Sequence, residues 1–462
     1  MNYNGRMKAL AVIPARGGSK RIPRKNVRFM AGRPLIYYAI DNARSSRSVT
    51  DVVVSTDDPE IAYYAEFFGA KVRHRPAELC RDDVTLDPVI DDALRWAEKE
   101  MPASYDWVIT LQPTCPTLRK GRIDEAVELA RGVGCDSVMT AVDDTHLFWG
   151  DAPGSGFRPL YEKRLNSQYL PRMYKETGSV VVSRRGVVTP AGRLGASTQL
   201  LVVTKEEAVD IDTHFDWWVA EKQLNRRKIV LRVDGSNDIG MGHVYRCLLL
   251  AGHLIDHELL FVCDESKALG LEKIRSQHYP IATVGSEAEF FHLLDEVKPN
   301  IVINDILDTE ANYVRSIRAT GAFVCNLEDL GPGSNEAHLV INEIYETAGH
   351  APHVLSGEHY YCLRDEFRLY PPKAKAGPIE RILVTFGGTD PADLTHRALS
   401  ILVSMDLAAK ITVVLGMGYR RADRIEAFAR ACGKDVEVLR NIPNMRSEER
   451  RVGKERRSRW SP

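Results

Sequence analysis

The sequence predicts an α/β protein of two or three domains, on three observations. Short β-rich runs alternate with amphipathic helical segments. A chain of 462 residues exceeds what one ordinary core holds, and the motif of a strand followed by a glycine loop recurs at three points. In the first half the strands are Ala9 to Ile13, Asp51 to Ser55, Trp107 to Leu111 and Ser137 to Ala141, with helices such as Pro34 to Arg44 and Pro88 to Lys99 between them. That rhythm is expected of a doubly wound parallel sheet covered by helices. Residues 146–190 break it with Pro, Gly, aromatics and Arg, and are expected to form an inserted lobe. A new strand, Lys228 to Val233, restarts the pattern, which puts the boundary at Leu224 to Arg227 and the first domain at residues 1–227. The Pro-, Lys- and Ala-rich stretch Tyr370 to Ile379 then separates residues 228–370 from a third restart, Arg381 to Phe386, opening residues 379–445.

Composition narrows the class. A hydrophobic fraction of 44% and a charged fraction of 27% are those of a soluble globular chain. No apolar run approaches the roughly 20 residues that span a bilayer, and the short polar lead runs into the first strand without a signal-peptide pattern, so no membrane association and a cytoplasmic location are expected. The eight cysteines form no C-x-x-C pair, which argues against zinc and against a disulfide scaffold and for reduced, mostly buried thiols. Net charge is −1, but Arg446 to Pro462 holds seven basic and three acidic residues, leaving −5 for residues 1–445. An acidic body carries no general nucleic-acid footprint. The tail 446–462, with almost no apolar periodicity, is expected to be disordered or non-native.

The most informative segment is the loop after the first strand. Ala15, Arg16, Gly17, Gly18, Ser19, Lys20, Arg21, Arg24, Lys25 and Asn26 combine two glycines, five cations and an asparagine. Glycines let backbone N–H groups approach phosphate oxygens, and the cations offset a triphosphate and its pyrophosphate product. The spacing fits neither a Walker A element nor a dinucleotide fingerprint. Asp57 and Asp58, and Gln112 with Pro113, follow later strand ends, where such sheets bind ligands, although such aspartates are more often helix N-caps and Gln112-Pro113 also reads as a simple turn. Asp210 and Asp212 are expected on an extended strand with both carboxylates on one side, a set suited to Mg²⁺ opposite a phosphate loop.

In order, "IPARGGSKRIPRKN", "VVSTDD", "RPAEL", "LQPTCP" and "DIDTHFDW" resemble the acylneuraminate cytidylyltransferase family over about residues 7–225. The resemblance implies a Rossmann-like, glycosyltransferase A-like nucleotidyltransferase domain that moves CMP from CTP to a sialic-acid-type nonulosonic acid. Octulosonate activation ranks second, because those enzymes usually carry a different glycine loop. The family's roles would give catalysis to Arg16, Lys20 and Lys25, and nucleotide contacts to Ala15, Gly17, Gly18, Ser19, Asn26, Arg75, Thr85 and Gln112. They would give Mg²⁺ to Asp210 and Asp212, and the sugar to Arg164 and Gln168 in a lobe that also serves a homodimer. Arg158 and Arg172 are further candidates there for the acid's carboxylate.

The second half carries "RVDGSNDIGMGHVYRCLLLA", in which two glycines place His243 at a helix start, where dipole and backbone amides favour phosphate. Together with "NDILD", "LEDLGPG" and "VTFGGTDP" it resembles the UDP-sugar hydrolase of pseudaminic acid synthesis and its polysaccharide-biosynthesis relatives, from about residue 228 to 445. That resemblance implies a glycosyltransferase B-like module of two Rossmann-like halves, the second expected to be incomplete and the module catalytically weak. His243 would activate water, and Gly387 and Gly388 would belong to the nucleotide half. A glycosyltransferase and a noncatalytic nucleotide-sugar sensor remain alternatives.

Overall fold

The structure is a computed structural model that describes residues 7–101, 103–152, 154, 156–343, 351–363, 378–416, 418–440 and 442. The expected tail at 446–462 and most of the stretch Tyr370 to Ile379 lie outside the described residues. The chain divides into two compact units, Met1–Asn225 and Arg226–Pro462.

In the first unit seven strands form one sheet, in the spatial order Thr198–Val203, Ser137–Asp143, Tyr174–Arg184, Trp107–Leu111, Ala9–Pro14, Asp51–Thr56 and Lys71–His74. Strand Ala9–Pro14 is buried along its whole length, and its period of two divides it between two cores. Ala9, Ala11 and Ile13 pack with the apolar faces of helices Leu35–Ser45, Pro59–Phe67 and Arg122–Val133, whereas Leu10 and Val12 pack with Ile90, Ala93, Leu94 and Ala97 of helix Leu86–Glu100. Helix Pro59–Phe67 starts on Asp58, whose carboxylate accepts from the Glu60 and Ile61 amides, and proline at its first position needs no partner for a missing N–H.

The expectation for 146–190 needs correction. Tyr174–Arg184 is no part of a lobe; it lies in the main sheet, antiparallel to both Trp107–Leu111 and Ser137–Asp143, so the sheet is mixed rather than all parallel. Its run Val180-Val181-Val182 is buried, and that apolar stretch outweighed the irregular composition around it. What leaves the sheet is the hairpin of Trp149–Ala152 with Gly156–Pro159, and the turn Ser167–Tyr169.

The second unit holds a seven-stranded, all-parallel sheet in the order Ile281–Val284, Glu258–Asp264, Lys228–Val233, Ile301–Asp305, Phe323–Leu327, Leu339–Asn342, Val354–Ser356. Val230, Val262, Val302, Val324 and Val340 line one face, and Leu231, Val233, Phe261 and Cys263 the other. A separate parallel sheet of Arg381–Thr385, Lys410–Leu415 and Val436–Arg440 follows, with helices Leu394–Ser404 and Ala422–Ala431. Among the described residues no helix is long and apolar enough to cross a membrane.

A buried ion pair ties the turn after edge strand Thr198–Val203 to the start of helix Arg122–Val133. Arg122 donates to both oxygens of Glu207 at 2.8 and 2.9 Å, with both side chains nearly enclosed. Desolvation alone would raise the Glu207 pKa, but the Arg122 hydrogen bonds, the Thr204 amide and the charges of Arg122 and Arg119 together outweigh it and hold the carboxyl below its ordinary value. A depressed folded pKa contributes stability that is present at neutral pH and lost as pH falls through it. Arg122→Ala, which strands that carboxylate, is expected to cost about 3 kcal/mol. In urea titrations its deficit against the wild type should shrink as pH is lowered; a deficit independent of pH would assign the loss to packing alone.

Candidate nucleotide site

At the carboxyl edge of the first sheet a cavity of about 510 Å³ gathers residues distant in sequence. Its lining includes Arg16, Ser19, Lys20, Arg21, Lys25, Asn26, Arg75, Thr85, Gln112 and Asp212. The central strand delivers the loop to this edge, and the Ala15 amide donates to the Ser55 carbonyl at 2.9 Å, fixing the exit. Buried Asn26 donates from Nδ2 to the Arg16 carbonyl at 3.0 Å, while its buried Oδ1 has no partner and can accept from a ligand. Arg75 reaches back to the Ser55 carbonyl at 2.8 Å, and burial lowers its pKa. Thr85 caps helix Leu86–Glu100 by backbone position without a side-chain capping bond.

The acidic pair joins the loop through apolar burial. Ile22 and Ile211 share one cluster with Met30, Leu35 and Ala220, so the residues flanking each isoleucine are brought to one another. Lys25 Nζ donates to the Ile211 carbonyl at 2.5 Å and lies 3.8 Å from Asp212, whose other oxygen is 3.0 Å from Arg21. Desolvation lowers the Lys25 pKa, with Asp212 and Asp210 opposing it. Asp210 is exposed as a residue, yet desolvation of its carboxyl raises its pKa, and Asp212 and Asp216 add to the rise. Contrary to expectation, the pair is not on a strand: residues 209–212 are irregular, and a capping box of Thr213 with Asp216 starts helix His214–Leu224 immediately after them.

Two loop residues have other work. The Gly17 amide donates to Asp57 at 2.9 Å rather than being free for phosphate, and a Cβ at Gly17 would stand 2.6 Å from Asp58 Oδ2. Gly18 faces open space. Arg24, counted among the phosphate-facing cations, turns instead to Asp58 and Glu60 and is absent from the cavity lining. Gln112 does reach the cavity, because Gly178, at φ +68° in a bulge of Tyr174–Arg184, makes room for it; a Cβ there would meet Gln112 Nε2 at 2.7 Å.

The sugar candidates stand apart. Arg158, Arg164 and Gln168 are exposed and, like Arg172, outside the lining, and Arg172 pairs with Asp143 rather than with Glu162 or Glu176. Sequence reasoning missed the wall formed by Leu79, Val84, Leu86 and Val89, together with Arg81 and Asp82. The run "RPAELCRDDVTL" carries all of them but Val89, yet an acidic pair beside a cationic loop reads as a solvated turn until the fold brings the two together.

In the second unit His243 is the second residue of helix Gly242–His253. Its Nδ1 lies 2.5 Å from Oδ1 of Asp305, which is fully buried at the end of strand Ile301–Asp305. Arg246 holds both oxygens of Asp305 at 2.7 and 2.8 Å and donates to Glu343 at 2.6 Å. Asp305, Arg246 and Glu343 were not singled out from sequence, although "NDILD" carries the first of them. Gly387 has φ +78° with nothing nearby, whereas Gly388 is required by packing, since a Cβ would meet Met241 Cβ at 2.9 Å.

A phosphate-sized cluster of cations at the carboxyl edge of an α/β sheet defines a nucleotide-binding enzyme of the transferase kind. Residues 10–148 match the cytidylyltransferase family. The CMP-N,N'-diacetyllegionaminic acid synthase of Legionella pneumophila is 34% identical over 235 residues, covering 48% of this chain and 100% of that protein. N-acylneuraminate cytidylyltransferase A of Danio rerio is 34% identical over 223 residues, 47% of this chain and 50% of that one. The pseudaminic acid cytidylyltransferase of Campylobacter jejuni is 42% identical over 123 residues, 26% and 53% of the two chains. The chain belongs to the cytidylyltransferase family, and it is a nucleotidyltransferase.

The two glycines separate loop architecture from ligand contact. Gly17→Ala should force Asp58 and the start of helix Pro59–Phe67 to shift, costing about 1–2 kcal/mol and weakening CTP binding, whereas Gly18→Ala should leave stability within about 0.5 kcal/mol. Urea unfolding and CTP titration of both variants check this; equal losses would mean that Gly17 is not wedged against Asp58.

Proposed function

We propose that the first unit transfers CMP from CTP to a sialic-acid-type nonulosonic acid, releasing pyrophosphate. The observation that carries this reading is the single cavity in which Arg16, Lys20, Lys25, Arg75 and Gln112 converge with Asp212 at its edge. The sugar's anomeric hydroxyl attacks the α-phosphorus, the bond to the bridging oxygen of pyrophosphate breaks, and the hydroxyl proton leaves to solvent. Charge builds on the non-bridging and leaving oxygens, where Lys25, Arg16 and Lys20 stabilise it. Lys25, held by the Ile211 carbonyl, is already oriented and loses little freedom on binding. The unpartnered Asn26 Oδ1 accepts from a ligand hydroxyl or amino group.

Asp210 and Asp212 fit Mg²⁺: desolvation, with a smaller contribution from Asp212, raises the Asp210 pKa, a cost that a cation would relieve, and two carboxylates leave the remaining positions to water and phosphate. Such an ion would neutralise phosphate charge. The relatives' names, each stating a nonulosonic acid, support this substrate class over an octulosonate.

A second reading, hydrolysis of a UDP-sugar by the second unit, is favoured by the His243–Asp305 pair. With Nδ1–H donating to Asp305, Nε2 keeps its lone pair. Water adds to the anomeric carbon, the bond to the UDP oxygen breaks, and Nε2 takes the proton. UDP release that survives His243→Ala would remove this reading; UDP-sugar binding without release would favour the sensor.

For the first unit, pyrophosphate release is followed with CTP and a panel of nonulosonic and octulosonic acids. Lys25→Ala and Asp212→Asn are each expected to lower kcat by about 10²-fold or more with the fold retained. Near-normal turnover in either variant would sink the assignment of that residue.

A further inference from the structure

Asp82, like Asp212 a carboxylate of the cavity lining, sits on two cations of the phosphate loop at once. Its Oδ1 accepts from Arg16 Nη1 at 2.8 Å and its Oδ2 from Lys20 Nζ at 2.5 Å. One anion thus spans both cations with separate oxygens, as two non-bridging oxygens of a phosphate group would. All three residues line the cavity, so the contact occupies the place where the loop would otherwise hold ligand charge. The pairs are open to water: side-chain exposure is 40% for Arg16, 77% for Lys20 and 56% for Asp82. Exposed pairs of this kind exchange readily. Asp82 also lies between the short turn Ala77–Leu79 and the start of helix Leu86–Glu100, outside regular structure, where no ladder of backbone bonds would break if it moved. The lysine and arginine hydrogen bonds keep its carboxyl below its ordinary pKa, hence ionised.

We propose that Asp82 is an internal competitor for the phosphate subsite. Its carboxylate neutralises Arg16 and Lys20 while the site is empty, yields them to the phosphates of the incoming nucleotide, and returns to both as pyrophosphate leaves. Asp82 is therefore a positioning residue that sets nucleotide affinity and speeds release of the pyrophosphate product. This rests on the nucleotidyltransferase reading of the site, and the test separates the two.

Inorganic pyrophosphate and CTP are titrated calorimetrically into the full chain, into Asp82→Asn, and into each in a Lys20→Ala background. Asp82→Asn should bind pyrophosphate roughly three- to tenfold tighter, since up to two exposed ion pairs no longer compete. In turnover the same variant should show a lower KM for CTP and stronger inhibition by pyrophosphate. In the Lys20→Ala background the gain should shrink, because competitor and ligand no longer share that cation. Matching thermal midpoints keep the comparison on folded protein. Unchanged or weaker pyrophosphate binding by Asp82→Asn, with the wild type binding normally, overturns the proposal. A gain that persists undiminished without Lys20 also overturns it, by reducing the effect to removal of a nearby negative charge. Failure of the wild type to bind either ligand would overturn the reading of the site and the proposal with it.

Discussion

Ile22 and Ile211 occupy one small apolar cluster, and the arrangement of charge in the first unit follows from their burial. Each has a charged neighbour: Arg21 precedes Ile22, and Asp210 and Asp212 flank Ile211. Removing an isoleucine side chain from water contributes about 1.5–3 kcal/mol, whereas exposed ion pairs such as that of Arg21 with Asp212 contribute about 0–1 kcal/mol. The hydrophobic anchor therefore fixes where the chain passes, and the ion pairs follow. Without that anchor the cationic loop and the acidic segment, separated by most of the unit's length, would have only the Lys25 hydrogen bond to the Ile211 carbonyl and solvent-screened ion pairs to hold them together.

The same anchoring explains why so many cations coexist in one loop. Arg16 and Lys20 are neutralised by Asp82, Arg21 and Lys25 face Asp212, and Arg24 is drawn away to Asp58 and Glu60. Each exposed cation has an exchangeable carboxylate partner, and only Lys25 is held largely by a backbone carbonyl. A site poised in this way keeps its charge balanced when empty and offers preorganised donors when a polyphosphate displaces the carboxylates.

The second unit meets a comparable problem by burial rather than exchange. Asp305 is fully buried, and an isolated carboxylate there would be costly; Arg246 and His243 together satisfy its oxygens. The imidazole is thereby fixed by a partner that is itself fixed, the arrangement that orients a proton-handling group.

Much of this was legible in the sequence. The strands Ala9–Pro14, Asp51–Thr56 and Trp107–Leu111 stood out because continuous apolar runs bounded by turn residues have few other uses, and the loop from Arg16 to Asn26 because glycine, cations and asparagine at a strand end suit phosphate. Those are local properties, and sequence alone determined them. Only the tertiary structure decided that Tyr174–Arg184 inserts antiparallel into the sheet, since pairing partners are set by packing across the fold and not by the strand's own residues. It also decided which charges meet. Sequence gave no measure of the distance from Asp82 to Lys20, from Ile211 to Lys25 or from Asp305 to His243, because each contact spans dozens of residues and depends on which apolar side chains are buried together between them.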